Sequence, residues 1–254
     1  MSDSVQLTEW HEKAVATARA AGKRIAAAAA GELQINEETH HDLKIQLDVD
    51  TQNFIEAELL GMFPDHHILG EEGGSGNDGK GVEWIVDPID GTVNLAYGIP
   101  HYCVSIACRV EGELVLGVIF DPGRDECFEA YRGGGARCNG QAIRVSPRTE
   151  LQQAILSLGF SKTRESVEKC LDLYVHYARN ARKLRAMGSA ALDMAYVAAG
   201  RIDGYIEQGI SIWDIAAGRV LIEEAGGTIV LTEQPGREKF HVKAWNGKVD
   251  LPLV

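Results

Sequence analysis

Three short acidic stretches carry the chemistry open to this chain. The first is Asp87-Pro88-Ile89-Asp90-Gly91-Thr92, where two carboxylates stand three residues apart behind Val82-Glu83-Trp84-Ile85-Val86. The second, Gly70-Glu71-Glu72-Gly73-Gly74, sets adjacent glutamates among glycines, and the third, Trp213-Asp214-Ile215-Ala216-Ala217-Gly218, puts an aspartate at a helix start. Pro88 fixes its own φ and lacks a backbone donor, so the chain is expected to turn there. Gly91 lets the backbone come close to a ligand with no Cβ in the way. Asp87 and Asp90 then face one point at the C-terminal end of a strand, where open α/β sheets bind ligands. Two carboxylates at one point repel each other unless protons or cations lie between them. At neutral pH a hard cation is the simpler answer, and Mg²⁺ suits it. Taken singly, an aspartate before a turn or at a helix start is usually a cap.

The motifs GEE, DPIDGT and WDIAAG, in this order and at these intervals, resemble the inositol monophosphatase family of metal-dependent, lithium-sensitive phosphatases. The resemblance covers about residues 42–227. It implies a layered αβαβα sandwich, a homodimer and two or three Mg²⁺ ions. On it, Glu71, Asp87 and the backbone carbonyl of Ile89 hold a first ion. Asp87 bridges to a second, which Asp90 and Asp214 complete. Glu71 and Thr92 orient a metal-activated water toward phosphorus, with Asp48 also placed in water activation. The backbone N–H groups near Gly91 and Thr92 cradle phosphate oxygens. Gly188, Ser189, Ala190 and Glu207 line the ring and hydroxyls of the substrate, beside Asp90 and Asp214. Two cations about 3.5–4 Å apart can clamp both the attacking and the leaving oxygen of a phosphoryl displacement. Ahead of Asp48 the chain departs from the family. Ile45 and Leu47 stand where hydroxyls are common, the usual upstream lysine is missing, and Lys44 is the nearest replacement.

Composition narrows the partners. With 254 residues, 45% of them hydrophobic, the chain can build one sizeable domain over 1–254, with lobes at about 1–145 and 146–254. A formal net charge of −12 argues against nucleic acid, because neutralising phosphates takes clustered Lys and Arg. No run reaches the roughly 18 apolar residues of a membrane span. The acidic opening Met1-Ser2-Asp3-Ser4 shows no cleavable signal, which points to the cytoplasm. The five cysteines form no CxxC pair and read as reduced, buried hydrophobes. His40-His41 and His66-His67 have no partner carboxylate at metal spacing and read as loop histidines.

The elements that must position the acids follow from pattern and composition. Residues 5–30 are alanine-rich and predict a helix ending at Gly31, with too little apolar area to hold a bilayer. Residues 42–48 alternate and predict a strand, and 51–62 a helix. The glycines of 73–81 predict a connector or mobile flap and lack the G-x-x-x-x-G-K-[ST] spacing of a phosphate loop. Strands are expected at 82–87, 102–110, 113–121, 125–131 and 142–145, with hairpin turns at Glu111-Gly112 and Asn139-Gly140. In the second lobe, strands are expected at 154–159, ending at Glu207, and at 228–231. Helices are expected at 165–180, from Gly188 to Gly200, and at 214–225. The basic run Arg179, Arg182, Lys183 and Arg185 either faces a helix C-terminus or anchors a second phosphate. Beyond Pro235 no element is evident.

Three functions compete. The first is a Mg²⁺-dependent phosphatase of inositol monophosphate or a similar polyol phosphate. The second keeps the chemistry but takes a sugar bisphosphate such as fructose 1,6-bisphosphate, a nucleotide 3′-phosphate or histidinol phosphate. The third is a phosphate-binding regulator without turnover. The stretch after DPIDGT, Val93-Asn94-Leu95-Ala96-Tyr97-Gly98-Ile99-Pro100, resembles the inositol branch.

Overall fold

The computed structural model describes residues 3–31, 33–38, 43–76, 81–160, 164–235 and 238–251. The N-terminal half runs α1 (Asp3–Ala28), β1 (Ile35–Glu38), β2 (Leu43–Ile45), α2 (Gln46–Met62), β3 (His67–Gly70), β4 (Gly73–Gly76), β5 (Val82–Asp90), α3 (Thr92–Ala96), β6 (Cys103–Val110), β7 (Glu113–Asp121), β8 (Glu126–Tyr131), β9 (Gly135–Cys138) and β10 (Gln141–Ala142). The C-terminal half runs β11 (Ile155–Leu158), α4 (Arg164–Asn180), β12 (Lys183–Arg185), α5 (Ala190–Ala198), β13 (Gly204–Ser211), α6 (Ile212–Glu224), β14 (Thr228–Glu233) and β15 (Lys239–Trp245). An eight-stranded sheet has the order β10-β9-β8-β7-β6-β5-β3-β4, and a five-stranded sheet the order β12-β11-β13-β15-β14.

Three apolar clusters bind these pieces into five layers, αβαβα. In α1, Trp10, Ala14, Ala18, Ala21 and Ile25 recur at helical spacing and are buried with Ile55 and Leu59 of α2 against the eight-stranded sheet. Small residues bring α1 very close: a Cβ on Gly22 would lie 2.3 Å from the Phe120 ring of β7. On the sheet's other face α5 and α6 form the middle layer. Gly117 of β7 leaves the space that the Ala217 backbone fills, and Gly218 leaves space for Met194 of α5. The five-stranded sheet covers that layer from the far side, and α4 closes the stack through Leu173 and Tyr177. Among the described residues no helix is long and apolar enough to cross a membrane. All five cysteines are free thiols, four of them buried.

Several expectations need correction. The strand expected over 42–48 is only β2, and α2 starts at Gln46, so Asp48 sits in the first turn of a helix. There its carboxylate accepts the Ile45 N–H at 3.1 Å, a role that strand alternation cannot reveal. The chain does not turn at Pro88. β5 continues to Asp90, with its pairing to β6 shifted between Asp87 and Asp90. Such a bulge accommodates a residue with no N–H to give the ladder. Part of the expected glycine flap is β4, hydrogen-bonded antiparallel to β3, while 77–80 lie outside the described residues, as do His40 and His41. The strand expected at 142–145 shrinks to β10, and β9 precedes it unforeseen. Of the basic run, Arg179 ends α4 but Lys183 to Arg185 form the edge strand β12. β15 occupies the tail beyond Pro235, pairing with both β13 and β14. The two hairpins do form as expected: Glu111-Gly112 and Asn139-Gly140 all have positive φ, the geometry of tight two-residue turns.

Candidate functional site

Four segments distant in the chain supply the acids. Asp87 and Asp90 come from the bulged end of β5, and Asp214 from the first turn of α6. Glu71 comes from the turn after β3, whose N–H donates to the Val86 carbonyl (3.2 Å), and Asp48 from the first turn of α2. Carboxylate oxygens of Asp87, Asp90 and Asp214 all lie within 4.8 Å of one another, the first two buried and the third half-buried.

Local hydrogen bonds set how each carboxylate is aimed. Asp87 Oδ1 accepts the Ile89 N–H at 3.0 Å, which closes the bulge around Pro88. Asp90 Oδ2 accepts from Ser189 Oγ and the Ala191 N–H, both at 2.7 Å, so the start of α5 is clamped onto the site. Asp214 Oδ2 accepts the Ser211 N–H at 2.9 Å, which makes it both a helix cap and a member of the acidic trio. Thr92 Oγ has one proton to give, to the Ile89 carbonyl (2.9 Å) or to Asp48 Oδ1 (3.2 Å). Gly91, between them, has φ +97°, and a Cβ there would meet the carbonyl oxygens of His101 (2.9 Å) and Gly188 (3.2 Å). Only glycine fits that turn.

These acids are strained as anions. Burial, and then the charges of Glu71, Asp90 and Asp214, push the Asp87 carboxyl well above its ordinary value. Burial followed by Asp90, Glu71 and Glu207 does the same to Asp214. Asp90 is raised by burial against the pull of its Ser189 and Ala191 bonds. Asp48 is raised to about 7, chiefly by burial, with Glu71 and Glu72 adding to it. Among the described residues no lysine or arginine pairs with the trio. A hard divalent cation resolves that conflict, and an all-oxygen donor set is what Mg²⁺ takes. The residues therefore fit the metal that the motifs imply.

The structure brings Glu71, Asp87, Ile89, Asp90, Gly91, Thr92 and Asp214 together, and the Gly188-Ser189-Ala190 turn abuts them through Asp90 and Gly91. Asp48 joins through Thr92. Glu207, on β13 five residues before α6 begins at Ile212, is near enough for its charge to act on Asp214. Of the basic run, Arg179 lies at the end of α4 and Lys183 and Arg185 are exposed on β12. Lys44 pairs with Glu72 (3.4 Å) beside the Glu71 turn.

Several supporting residues escaped the sequence reading. Gln52 of α2 accepts the Glu72 N–H (2.9 Å) and donates to the Gly73 carbonyl (3.2 Å), fixing the turn that carries Glu71. Asn94 Nδ2 donates to the carbonyls of His101 (2.7 Å) and Met187 (2.8 Å). Buried Asp193 accepts from His101 Nε2 (3.0 Å) and Ser157 Oγ (2.5 Å). None has a sequence signal, because each partner lies on a different element.

The chain matches the family model described as "Inositol monophosphatase family" over residues 6–250. It is 40% identical over 225 residues to "Nus factor SuhB" of Pseudomonas aeruginosa, spanning 85% of this chain and 83% of that protein. To "Inositol-1-monophosphatase" of Rhizobium meliloti it is 42% identical over 208 residues, spanning 81% and 78%. Among solved structures, the extragenic suppressor protein suhB of Bartonella henselae has a TM-score of 0.86 at 34% identity over 93% of each chain. The inositol monophosphatase of Anabaena has a TM-score of 0.83 at 34% identity, over 96% of this chain and 92% of that one.

Proposed function

Because this chain belongs to the inositol monophosphatase family, we propose that it is a Mg²⁺-dependent phosphomonoesterase of inositol monophosphate or a related polyol phosphate. The observation that carries the reading is the trio Asp87, Asp90 and Asp214, with oxygens within 4.8 Å of one another and, among the described residues, no lysine or arginine paired with them. Glu71, Asp87, the Ile89 carbonyl, Asp90 and Asp214 would hold the metal. When bound, Mg²⁺ supplies charge neutralisation of the phosphoryl group and acidification of water. Glu71 and Thr92 orient the attacking water. Thr92 is itself aligned by its hydrogen bond to the Ile89 carbonyl or to Asp48. Gly91 and Thr92 present backbone N–H groups to the phosphate oxygens. The Gly188-Ser189-Ala190 turn and Glu207 border the alcohol part of the ester.

The test is phosphate release from inositol 1-phosphate in Mg²⁺, set against fructose 1,6-bisphosphate and other phosphate esters, with and without chelator. Asp214→Asn keeps the helix cap but removes a charge from the trio and should abolish hydrolysis. Full activity in chelator, or in Asp214→Asn, refutes the metal-dependent reading. At least tenfold preference for fructose 1,6-bisphosphate moves the assignment to the sugar bisphosphates.

A second reading has one specific support: relatives such as that of Pseudomonas aeruginosa are named Nus factors. A Nus-factor role for this chain is compatible with hydrolysis, and it reopens the question of a nucleic-acid partner that the net charge of −12 argued against. A biological role that survives in the folded Asp214→Asn variant would assign it to this second function.

A further inference from the structure

Glu207 is held from two sides by residues that no motif marks. On β13, Tyr205 and Glu207 stand two positions apart and so share one face of the sheet. The Tyr205 phenol, fully buried, donates its O–H to Glu207 Oε2. Burial and the neighbouring carboxylate keep the phenol protonated, well above its ordinary range, so it acts as a donor throughout.

On the other side of Glu207 a missing side chain makes room for it. β11 runs parallel to β13 with Leu158 opposite Ile206, and the next residue, Gly159, donates its N–H to the Ile206 carbonyl at 2.9 Å. A Cβ on Gly159 would lie 1.8 Å from Glu207 Oε2 and 2.3 Å from its carboxyl carbon. Gly159 is not among the glycines of positive φ, so its backbone does not demand glycine. Its missing side chain serves space alone, and the Glu207 carboxylate fills that space.

We propose that Tyr205 and Gly159 are specificity-determining positioning residues: together they fix the Glu207 carboxylate as an acceptor for hydroxyls on the alcohol part of the substrate. This inference rests on the phosphatase reading above and deepens it. A carboxylate offers about four acceptor positions, so the Tyr205 O–H can orient the group without itself filling it. Asp214 follows Glu207 by seven residues through the β13–α6 junction, which places the acceptor beside the trio that would hold the phosphate. An ester with hydroxyls close to its phosphate gains from that acceptor. An ester without them gains nothing.

The experiment measures kcat/KM for myo-inositol 1-phosphate and for phenyl phosphate, which has no hydroxyl, in saturating Mg²⁺. Wild type, Tyr205→Phe and Gly159→Ala are compared, each checked for folding by circular dichroism. The ratio of the two kcat/KM values should fall about tenfold in Tyr205→Phe, mostly through KM for the inositol ester, as expected for losing one hydrogen bond to a charged group. Gly159→Ala, whose Cβ displaces the carboxylate, should lower the ratio in the same direction. A merely structural role would depress both substrates together and leave the ratio where it was. A ratio within twofold of wild type in the folded variants overturns this inference and leaves the phosphatase reading intact. Wild type that hydrolyses neither ester overturns both.

Discussion

Replacing Asp48 by asparagine should stabilise the metal-free protein at neutral pH while changing little near pH 4. Asp48 is only 4% exposed, and burial reinforced by Glu71 and Glu72 raises its carboxyl from 3.8 to about 7. The folded chain therefore holds a proton that the unfolded chain has already released between those two values. Stability from this group is complete below about pH 4 and is lost as pH climbs toward 7. At 1.36 kcal/mol for each pH unit, the loss is on the order of 4 kcal/mol. Asparagine has no charge to desolvate and still accepts the Ile45 N–H, so the variant escapes this loss. Asp87, Asp90 and Asp214 are raised as well, so both proteins weaken as pH rises, and only the difference between them reports Asp48. Urea unfolding in chelator from pH 4 to 8 measures that difference. The gap should open from near zero to roughly 2–4 kcal/mol in favour of Asp48→Asn. Parallel stability curves would show that Asp48 ionises freely in the fold, and the argument from its burial would be wrong.

Other perturbations read the supports of the site. Ser189→Ala removes the 2.7 Å bond to Asp90 Oδ2; a hydrogen bond to a charged group is worth about 1.5–3 kcal/mol, so calorimetric titration should find Mg²⁺ bound roughly 10–100-fold more weakly. Gly91→Ala forces a left-handed φ of 97° on a residue whose Cβ lies 2.9 Å from the His101 carbonyl. Its urea midpoint should drop by the equivalent of about 1–3 kcal/mol, and an unchanged midpoint would mean the turn relaxes freely. Gln52→Leu releases both ends of the Glu71-Glu72 turn and should cut kcat/KM by about tenfold to a hundredfold in a folded protein, through misplacement of Glu71.

What the residues alone determined was local. The glycines of Glu111-Gly112 and Asn139-Gly140 made tight turns because positive φ is a property of those residue types. The long first helix followed from its alanines, and the acids of GEE, DPIDGT and WDIAAG announced a cation because three carboxylate motifs in order have few other uses. Patterning failed where a distant partner decided the outcome. Gly73–Gly76 became a strand because β3 offered it a ladder, although glycine itself favours none. β5 ran through Pro88 because β6 could absorb a bulge there. Lys239–Trp245 became a strand between two neighbours that the sequence does not place beside it.

The same division runs through the site. Residue type fixed which groups could ligate a metal, since a carboxylate's charge belongs to the side chain wherever it stands. Tertiary structure alone decided that Asp90 is clamped by Ser189 and Ala191, that Asp48 is a buried helix cap, and that Gln52, Asn94 and Tyr205 hold the turns and the carboxylate around it. Burial and the occupancy of each oxygen are set by segments up to about a hundred residues away. No local pattern can encode them, because they come into being only when the layers close on one another.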